Sequence, residues 1–253
     1  MKEMHIPVLL KETIELLDIQ PDDVVVDGTV GFGGHAAEII AKLGGKGVFI
    51  GLDVDPAAIK HCQAKFKDLP NVFLFQRSYT EIRSVLDELK IAKATKVLLD
   101  LGLSSYQLDS ETRGFSFQKE AELDMRMDDK SKGEKAKDVL RTYDKEQLEK
   151  VFVDYGELRN CGKFVENILK ERETVAIETT SDLVKIIKKS FYFRNKRRIY
   201  IKTCAQVFQA LRIEVNKEFM NIRRFLAGLG DVSAVGGRLA IITFHSLEDK
   251  LIK

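Results

Sequence analysis

Short apolar runs alternate with amphipathic stretches over the first hundred residues of the chain. Near-continuous apolar runs, typical of strands covered on both faces, predict strands at 24–26, 47–52, 72–75 and 97–101. Apolar positions three and four apart predict intervening helices at 35–43, 56–66 and 80–89. Asp55 followed by Pro56 is typical of a helix start, and Thr80 is the expected cap of the third helix. This alternation favours right-handed βαβ units and an open, mostly parallel sheet.

The pattern changes after Ser105. Residues 107–216 lack strand-like alternation and include the charged stretch "MDDKSKGEKAKDVLRTYDKEQ", which is followed by several helical patterns. The clearest helix is predicted at 207–226, where apolar residues recur three and four positions apart on one face. Gly228 and Gly230 are expected to close it.

The strand pattern returns at 236–244 with "GGRLAIITF", so the chain comes back to the first domain. We therefore predict an α/β domain of residues 1–106 and 217–253. A helical insertion of residues 107–216 interrupts it. In an open parallel sheet, ligands bind at the carboxyl ends of the strands, so the site is expected at that edge of the first domain.

The composition is that of an ordinary globular protein, with 44% hydrophobic residues, 32% charged residues and a formal net charge of +2. No segment reaches the roughly 20 consecutive apolar residues that span a bilayer. Cys62, Cys161 and Cys204 are far apart and form no C-x-x-C pair, which argues against a disulfide framework and a structural zinc site. We expect a cytoplasmic protein with no membrane or metal partner, whose attraction to nucleic acid depends on local charge.

The stretch "VVVDGTVGFGGHAAEII" places a glycine-rich loop directly after the first predicted strand. Gly31, Gly33 and Ala36 match the G-x-G-x-x-A spacing of dinucleotide sites, and Asp53 follows about 20 residues later. Asp27 opposes that interpretation, because a carboxylate about 5 Å from a ligand charge contributes roughly 3 kcal/mol at an effective dielectric near 20. This electrostatic contribution from Asp27 is unfavourable for a pyrophosphate and favourable for a cation.

S-adenosylmethionine fits an acidic pocket, since it carries a sulfonium and an ammonium group against one carboxylate. Asp53 would accept hydrogen bonds from its ribose hydroxyls, and Asp100, at the fourth predicted strand, would face its reacting end. A single aspartate at a strand end is as often a cap or a turn residue. Three at successive strand ends, with Asp27 as the supporting member, favour a shared cationic ligand.

Six stretches, in this order along the chain, resemble the RsmH (MraW) family of bacterial methyltransferases: "HIPVLLKETIELL", "VVVDGTVGFGGHAAEII", "LLDLGLSSYQLDSETRGFSF", "LDMRMD", "VFQALRIEVNKE" and "GGRLAIITFHSLEDKLIK". The resemblance spans nearly the whole chain. It implies a Rossmann-like methyltransferase that uses S-adenosylmethionine to methylate the exocyclic N4 amine of a cytidine in the decoding region of small-subunit (16S) ribosomal RNA. The implied partner is that RNA or the 30S subunit.

The resemblance also implies a set of cofactor-binding residues: Gly33, Gly34, His35, Asp53, Tyr79, Asp100 and Gln107. Gln107 rests on the resemblance alone. Taken by itself, His35 would be interpreted as a helix-start histidine that makes a local hydrogen bond.

Methyl transfer to an exocyclic amine is an in-line displacement, so catalysis rests largely on positioning the nitrogen and the methyl donor within about 3 to 3.5 Å. An acceptor for an amine hydrogen helps, and it can receive the proton afterwards. Asp100 is our catalytic candidate. Many amino-methyltransferases have two prolines and an aromatic residue directly after this position, but this chain has "DLGL", so the aromatic that would stack on the base is missing there. Tyr106, Phe115 and Phe117 are considered as base-stacking residues instead, although buried packing is the commoner role of such aromatics.

RNA contact is predicted in "KIIKKSFYFRNKRRIYIK", residues 185–202, which interleaves basic and aromatic residues and has no acidic one. A basic run is commonly a solvated face, but the aromatics fit phosphate contact combined with base stacking. We select Lys196, Arg197 and Arg198 as RNA contacts. His245 and Ser246 follow the returning strand and are expected on the substrate side.

The chain departs from the family pattern in two places. The family has His-Pro-Ala-Thr-Arg where this chain has "KTCAQ" at 202–206, which leaves the substrate contacts of that segment open. The family also continues beyond "HSLEDKLIK" into further strands, so we expect the C-terminal part of the first domain to be incomplete. Two other interpretations stay open: an NAD-dependent oxidoreductase, and an RNA-binding ribosome-assembly protein without catalytic activity.

Overall fold

The computed structural model describes residues 7–194 and 196–253, apart from the side chains of Ser105 and Asp109. The chain divides into two compact units, Met1–Ser104 with Phe219–Lys253, and Ser105–Glu218. Buried apolar side chains fill the inside of each unit. The assignment of the second unit to RNA recognition stays a prediction.

The first unit is built on a five-stranded parallel sheet with the order β3-β2-β1-β4-β5. Its strands are β1 (Val24–Asp27), β2 (Val48–Asp53), β3 (Val72–Gln76), β4 (Ala94–Asp100) and β5 (Ser233–Ile242). This confirms the predicted α/β class and each predicted strand. Crossovers between neighbouring parallel strands bring the carboxyl ends of β1, β2 and β4 to one edge.

Strand β4 begins three residues before the predicted apolar run, because polar residues take part in its pairing. The Thr95 hydroxyl oxygen accepts the Val24 N–H at 3.0 Å, and the hydroxyl donates to the Val24 carbonyl at 3.1 Å. The next residue, Lys96, is buried with its Nζ 3.7 Å from Asp23 Oδ2. A hydrophobic run alone therefore finds the second half of this strand and misses the first.

The helices of both units are numbered in chain order. They are α1 (Leu10–Leu17), α2 (Gly34–Lys42), α3 (Pro56–Lys65), α4 (Ile82–Glu88), α5 (Ser105–Asp109), α6 (Ala136–Thr142), α7 (Lys145–Asp154), α8 (Gly162–Arg172), α9 (Thr180–Ser190), α10 (Arg197–Asn216), α11 (Glu218–Ala227), α12 (Leu229–Val232) and α13 (Ser246–Ile252). A 3₁₀ turn, Tyr79–Glu81, precedes α4.

Two predicted helix caps have different outcomes. Asp55 caps α3 as expected, since its side chain accepts the Ala57 N–H at 2.9 Å. Thr80 was the wrong residue for the third helix. Ser78 is the cap there, because its hydroxyl accepts the Thr80 N–H while its own N–H donates to Glu81, a reciprocal arrangement that starts the turn before α4.

The long helix predicted at 207–226 is in fact two helices, α10 and α11, separated by Lys217 in the left-handed conformation (φ 52°). Polar contacts end α10. The Asn216 side chain accepts the Met127 N–H and donates to the Met125 carbonyl, both at 2.8 Å. Glu218 is held by Arg212 through two bonds of 2.8 and 2.9 Å. The apolar stripe continues across the break, which is why periodicity alone predicts one helix.

Helix α1, which the hydrophobic pattern did not single out, packs on the sheet of the first unit. Ile14 and Leu17 join the same buried cluster as the strand and helix residues beneath them. Arg238 of β5 anchors its last turn by donating to the Leu16 carbonyl at 2.8 Å and to Asp18 at 3.0 Å. Pro7 and Val8, which precede α1, lie against Gly34 and His35 at the start of α2.

Candidate cofactor site

Three aspartates lie at the carboxyl ends of adjacent strands in the first unit. Asp27 ends β1, Asp53 ends β2 and Asp100 ends β4. Asp27 is only 1% exposed. The structure therefore brings these three predicted residues to one edge of the sheet.

Burial changes the protonation of all three carboxyl groups in the absence of a ligand. Burial raises the pKa of Asp27 to about 8, and the charges of Asp100 and Asp53 raise it further, against a hydrogen bond from the Thr29 N–H. Burial also raises the pKa of Asp53 to about 6. The pKa of Asp100 rises to about 6 through burial and the nearby charge of Glu248. A cationic ligand would relieve this crowding of negative charge.

The glycine loop between β1 and α2 packs closely against α3 and Phe66. Gly33 has φ 72°, and a Cβ there would lie 2.9 Å from the Phe66 ring and 3.0 Å from Cys62 Sγ. Helix α3 fixes the loop carbonyls, since Cys62 donates to Gly31 O at 3.2 Å and Lys65 donates to Gly33 O at 2.7 Å. Only glycine combines this conformation with this close approach.

Asp53 connects the loop to the second strand. Its Oδ2 accepts the Gly31 N–H at 2.8 Å, and its Oδ1 accepts the Asp55 N–H at 2.9 Å. Each carboxylate oxygen retains a second lone pair for a ligand hydroxyl. Asp53 thus supports the loop and still offers acceptors to a ribose.

His35 lies in the first turn of α2 and is 6% exposed. Its Nε2 is 3.2 Å from the Val8 carbonyl oxygen, which only accepts hydrogen bonds, so we assign the ring proton to Nε2. Burial lowers the pKa of His35, which keeps the ring neutral. Its Nδ1, left with a lone pair, lies 3.7 Å from Asp100 Oδ2. The neighbouring Gly34 packs against Pro7, where a Cβ would come within 2.3 Å of the proline ring.

The two carboxylate oxygens of Asp100 have different surroundings. Its backbone N–H donates to the Thr29 hydroxyl at 2.6 Å, and its Oδ2 faces His35. Its Oδ1 is buried and has no hydrogen-bond partner among the described residues. A buried acceptor without a partner is costly, so this atom is a natural acceptor for a bound ligand.

The other predicted cofactor residues are divided between the units. Tyr79 belongs to the first unit, where it opens the turn before α4 and meets the Phe225 ring edge-on at 5.9 Å. Gln107 is buried on α5 in the second unit, and its cofactor role stays a prediction. Of the proposed stacking residues, Phe115 is buried and Phe117 packs against Phe208. This supports core packing for both.

Helix α13, which follows the carboxyl end of β5, contains a residue that the sequence patterns did not indicate, Glu248. Glu248 is fully buried, and its Oε2 accepts the Phe244 N–H at 2.8 Å. His245 caps α13 through Nδ1, which accepts the Glu248 N–H at 3.3 Å, and its Nε2 is 3.3 Å from Glu248 Oε1. The spacing of a cap and a glutamate three residues later in "HSLE" could have indicated this pair. Ser246 begins α13, and its substrate role stays a prediction.

The predicted RNA contacts lie apart from this site in the chain, at the start of α10 in the second unit. Lys196, Arg197 and Arg198 are exposed, and the described residues offer them no ion pair. Tyr192 is 85% exposed with the Arg194 guanidinium 5.7 Å from its ring. The segment 202–206, which departs from the family pattern, lies inside α10.

Within the part of the chain that the structure describes, no group of three or more histidine, cysteine or acidic side chains is arranged to hold a metal ion. None of the helices there is both long and apolar enough to cross a membrane. The three cysteines are buried and free.

A parallel sheet with a glycine loop and carboxylates at its carboxyl edge defines an α/β enzyme of the Rossmann-like class. The sequence profile described as the MraW methylase family matches residues 2–253, and the chain belongs to that family. This confirms the predicted family and methyltransferase class, and with them S-adenosylmethionine as the cofactor.

The chain is similar to several named relatives. It is 43% identical to ribosomal RNA small subunit methyltransferase H of Clostridium botulinum (strain Loch Maree / Type A3), over 100% of this chain and 81% of the relative. The protein of the same name from Clostridioides difficile (strain 630) is 42% identical over 98% of this chain and 80% of the relative. A solved putative rRNA-methylase from Clostridium thermocellum has a TM-score of 0.34 and 25% identity, covering 40% of this chain and 56% of that one.

Proposed function

We propose that this methylase transfers the methyl group of S-adenosylmethionine to the exocyclic N4 amine of a cytidine in the decoding region of 16S ribosomal RNA. The ribosomal RNA methyltransferases to which the chain is similar support the RNA substrate. The observation that carries the choice of atom is Asp100, whose buried Oδ1 has no hydrogen-bond partner among the described residues. An amine hydrogen is a matching donor for that oxygen.

The cysteines argue against a covalent mechanism in which a thiolate first adds to the base. A cysteine in that role needs a lowered pKa or an adjacent general base. Burial raises the pKa of Cys62 to about 12, and burial also raises the pKa of Cys161 and of Cys204. Buried thiols of this kind are inert, so direct attack by the amine is favoured.

The residues present fit the cofactor. Gly33, Gly34 and His35 would receive its methionine part, and Asp53 would accept bonds from its ribose. The cofactor supplies an electrophilic methyl group on a positively charged sulfur. The carboxyl groups of Asp27, which is buried, and of Asp100 would stabilise that charge.

The chain itself provides position and a hydrogen acceptor. Asp100 Oδ1 would accept a hydrogen bond from one amine hydrogen, and this bond would turn the nitrogen lone pair towards the methyl group. The same oxygen would then take up the leaving proton. The Asp100 backbone is fixed by the Thr29 hydroxyl at 2.6 Å, so the carboxylate is preorganised. Tyr79 would complete the cofactor contacts of the first unit, and His245 and Ser246 the substrate side.

The second unit would bind the RNA, either as free 16S RNA or within the 30S subunit, in the cytoplasm. In residues 185–202, Lys188 lies over the Tyr200 ring at 5.5 Å, while Lys185 and Lys189 pair with acidic neighbours. The charge free for phosphates is therefore concentrated around Lys196, Arg197 and Arg198. The exposed Tyr192 offers a ring to an unstacked base.

Replacing Arg197 and Arg198 with glutamate is expected to weaken RNA binding by at least about tenfold at low salt and to flatten its salt dependence. Removing one phosphate interaction lowers the slope of log affinity against log salt by roughly 0.7 to 0.9. Titration of a fluorescent 16S fragment at several salt concentrations measures both. The matched control is Lys60→Glu with Lys67→Glu, two exposed lysines of the first unit with the same charge change. Equal slopes for the two double variants would refute this RNA surface.

Nucleoside mass spectrometry of ribosomal RNA tests the proposed reaction. N4-methylcytidine at one position of 16S RNA is expected to disappear when the gene is deleted and to return with the wild-type gene, but not with Asp100→Asn. Unchanged N4-methylcytidine after deletion would contradict the proposal. Defective subunit assembly without a change in methylation would indicate the non-catalytic assembly protein, and calorimetric binding of NAD in preference to S-adenosylmethionine would indicate the oxidoreductase.

A further inference from the structure

The reaction releases a proton that the site must hold. As the nitrogen–carbon bond forms and the carbon–sulfur bond breaks, the amine nitrogen becomes positively charged and loses one hydrogen as H⁺. By the proposed function, Asp100 Oδ1 accepts this hydrogen, which leaves the second carboxylate oxygen, Oδ2. It faces His35 Nδ1 at 3.7 Å.

The Val8 carbonyl decides what His35 presents to Asp100. Because a carbonyl only accepts, its contact with Nε2 at 3.2 Å requires the ring hydrogen on that nitrogen. The neutral ring therefore turns an unprotonated Nδ1 towards a carboxylate oxygen. Two acceptors that face each other can share one added proton, and a shift of about 0.8 Å would close their separation to hydrogen-bond length.

We infer that His35 and Asp100 form a pair that takes up the proton released by methyl transfer, with His35 acting through Asp100 as a positioning residue. This inference rests on the proposed function. The amine proton passes to Asp100 Oδ1, and rotation of the carboxyl group presents it to His35 Nδ1. The pair gains one positive charge in the step in which the cofactor loses one, so the net charge of the site is unchanged.

The surroundings of the pair suit this role. The charge of Glu248 on α13 raises the pKa of Asp100, and the charge of Asp100 raises the pKa of Asp27 on β1, so two further acidic groups act near the pair. His245 lies beside Glu248, with its Nε2 3.3 Å from Glu248 Oε1. The charge of Glu248 favours an added proton on Asp100, and the Val8 carbonyl, which accepts the Nε2–H of the neutral ring, would also accept it from an imidazolium.

His35→Gln separates proton uptake from structure. The glutamine amide can keep the bond to the Val8 carbonyl, and the backbone N–H at position 35 stays in place, but no basic nitrogen faces Asp100. We expect single-turnover methylation of undermethylated 30S subunits at saturating S-adenosylmethionine to fall about 100-fold at pH 7, beyond any loss of cofactor affinity that calorimetry measures. The control His61→Gln, at an exposed histidine of α3, is expected to stay within about twofold.

Two further results decide the inference. If the residues act as a pair, the double variant with Asp100→Asn is no slower than Asp100→Asn alone, whereas multiplied losses would overturn the pair. A rate loss in His35→Gln that only follows lost cofactor affinity would also overturn it.

Imidazole ¹H–¹⁵N NMR of the wild-type protein needs neither activity nor a folded variant. The neutral His35 ring is expected to carry its hydrogen on Nε2, and a hydrogen on Nδ1 would overturn the inference. If wild-type protein shows the Nε2 tautomer but does not methylate the RNA, the proposed function fails while the arrangement of the pair stands.

Discussion

Asp53→Asn, although nearly isosteric, is expected to weaken binding of S-adenosylmethionine by at least about 100-fold. Both carboxylate oxygens accept backbone N–H groups, from Gly31 at 2.8 Å and from Asp55 at 2.9 Å. An asparagine has one acceptor oxygen, so its amide NH₂ would point at one of these donors. The loss of a charged acceptor together with a displaced glycine loop corresponds to about 3 kcal/mol, or a factor of roughly 100.

Isothermal titration calorimetry of the free protein with S-adenosylmethionine measures this effect. Asp55→Asn is the matched control, because asparagine is also a good helix cap and its oxygen can still accept the Ala57 N–H. We expect that control to bind within about threefold of wild type. If Asp53→Asn binds as tightly as Asp55→Asn, Asp53 neither orders the loop for the cofactor nor contacts it.

The contrast between these two aspartates shows how much of the site the sequence predicts. The sequence predicts that Asp27, Asp53 and Asp100 lie at one edge of the sheet, because three apolar runs each end in an aspartate and parallel strands share one carboxyl edge. It does not predict that both oxygens of Asp53 accept backbone N–H groups, because those bonds depend on the exact path of two loops. Periodicity carries no information about those paths.

Polar residues inside elements account for most of what the pattern missed. Thr95 and Lys96 belong to a buried strand, and Asn216 and Glu218 bond across a helix break, so hydrophobicity alone displaces or merges these elements. Glu248 was missed for the same reason. An acidic residue in a C-terminal helix is ordinarily solvated, and its complete burial beside His245 is a property of the folded chain.

The charge on Asp27 also needs revision in the light of the fold. From the sequence alone, Asp27 counts as a full negative charge that repels a pyrophosphate. At 1% exposure its pKa is raised to about 8, so without a ligand the group is largely protonated at neutral pH. Asp27 therefore favours a cation by losing its proton when the cation binds.

Binding of S-adenosylmethionine is accordingly expected to tighten as the pH rises, by roughly 50-fold between pH 6 and pH 8. The cationic ligand favours the ionised carboxylate, so below the pKa of Asp27 each pH unit costs close to tenfold in affinity. Below about pH 6, Asp53 and Asp100, whose pKa values are both about 6, add to the loss. Calorimetry at pH 7 in two buffers of different ionisation enthalpy should show close to one proton released for each cofactor bound.

The stability of the ligand-free protein should change in the opposite direction. A carboxyl group whose pKa is higher in the folded than in the unfolded protein contributes stability that is complete below the unfolded value and is lost as the pH rises to the folded value. For Asp27 that window runs from pH 3.8 to about pH 8.

Asp27→Asn tests the role of this group in binding, because the asparagine keeps an acceptor for the Thr29 N–H but cannot ionise. The substitution should abolish both the proton release and most of the pH dependence of cofactor binding between pH 6 and 8. An affinity that is flat across this range in the wild-type protein, with no proton released, would mean that Asp27 does not respond to the charge of the cofactor.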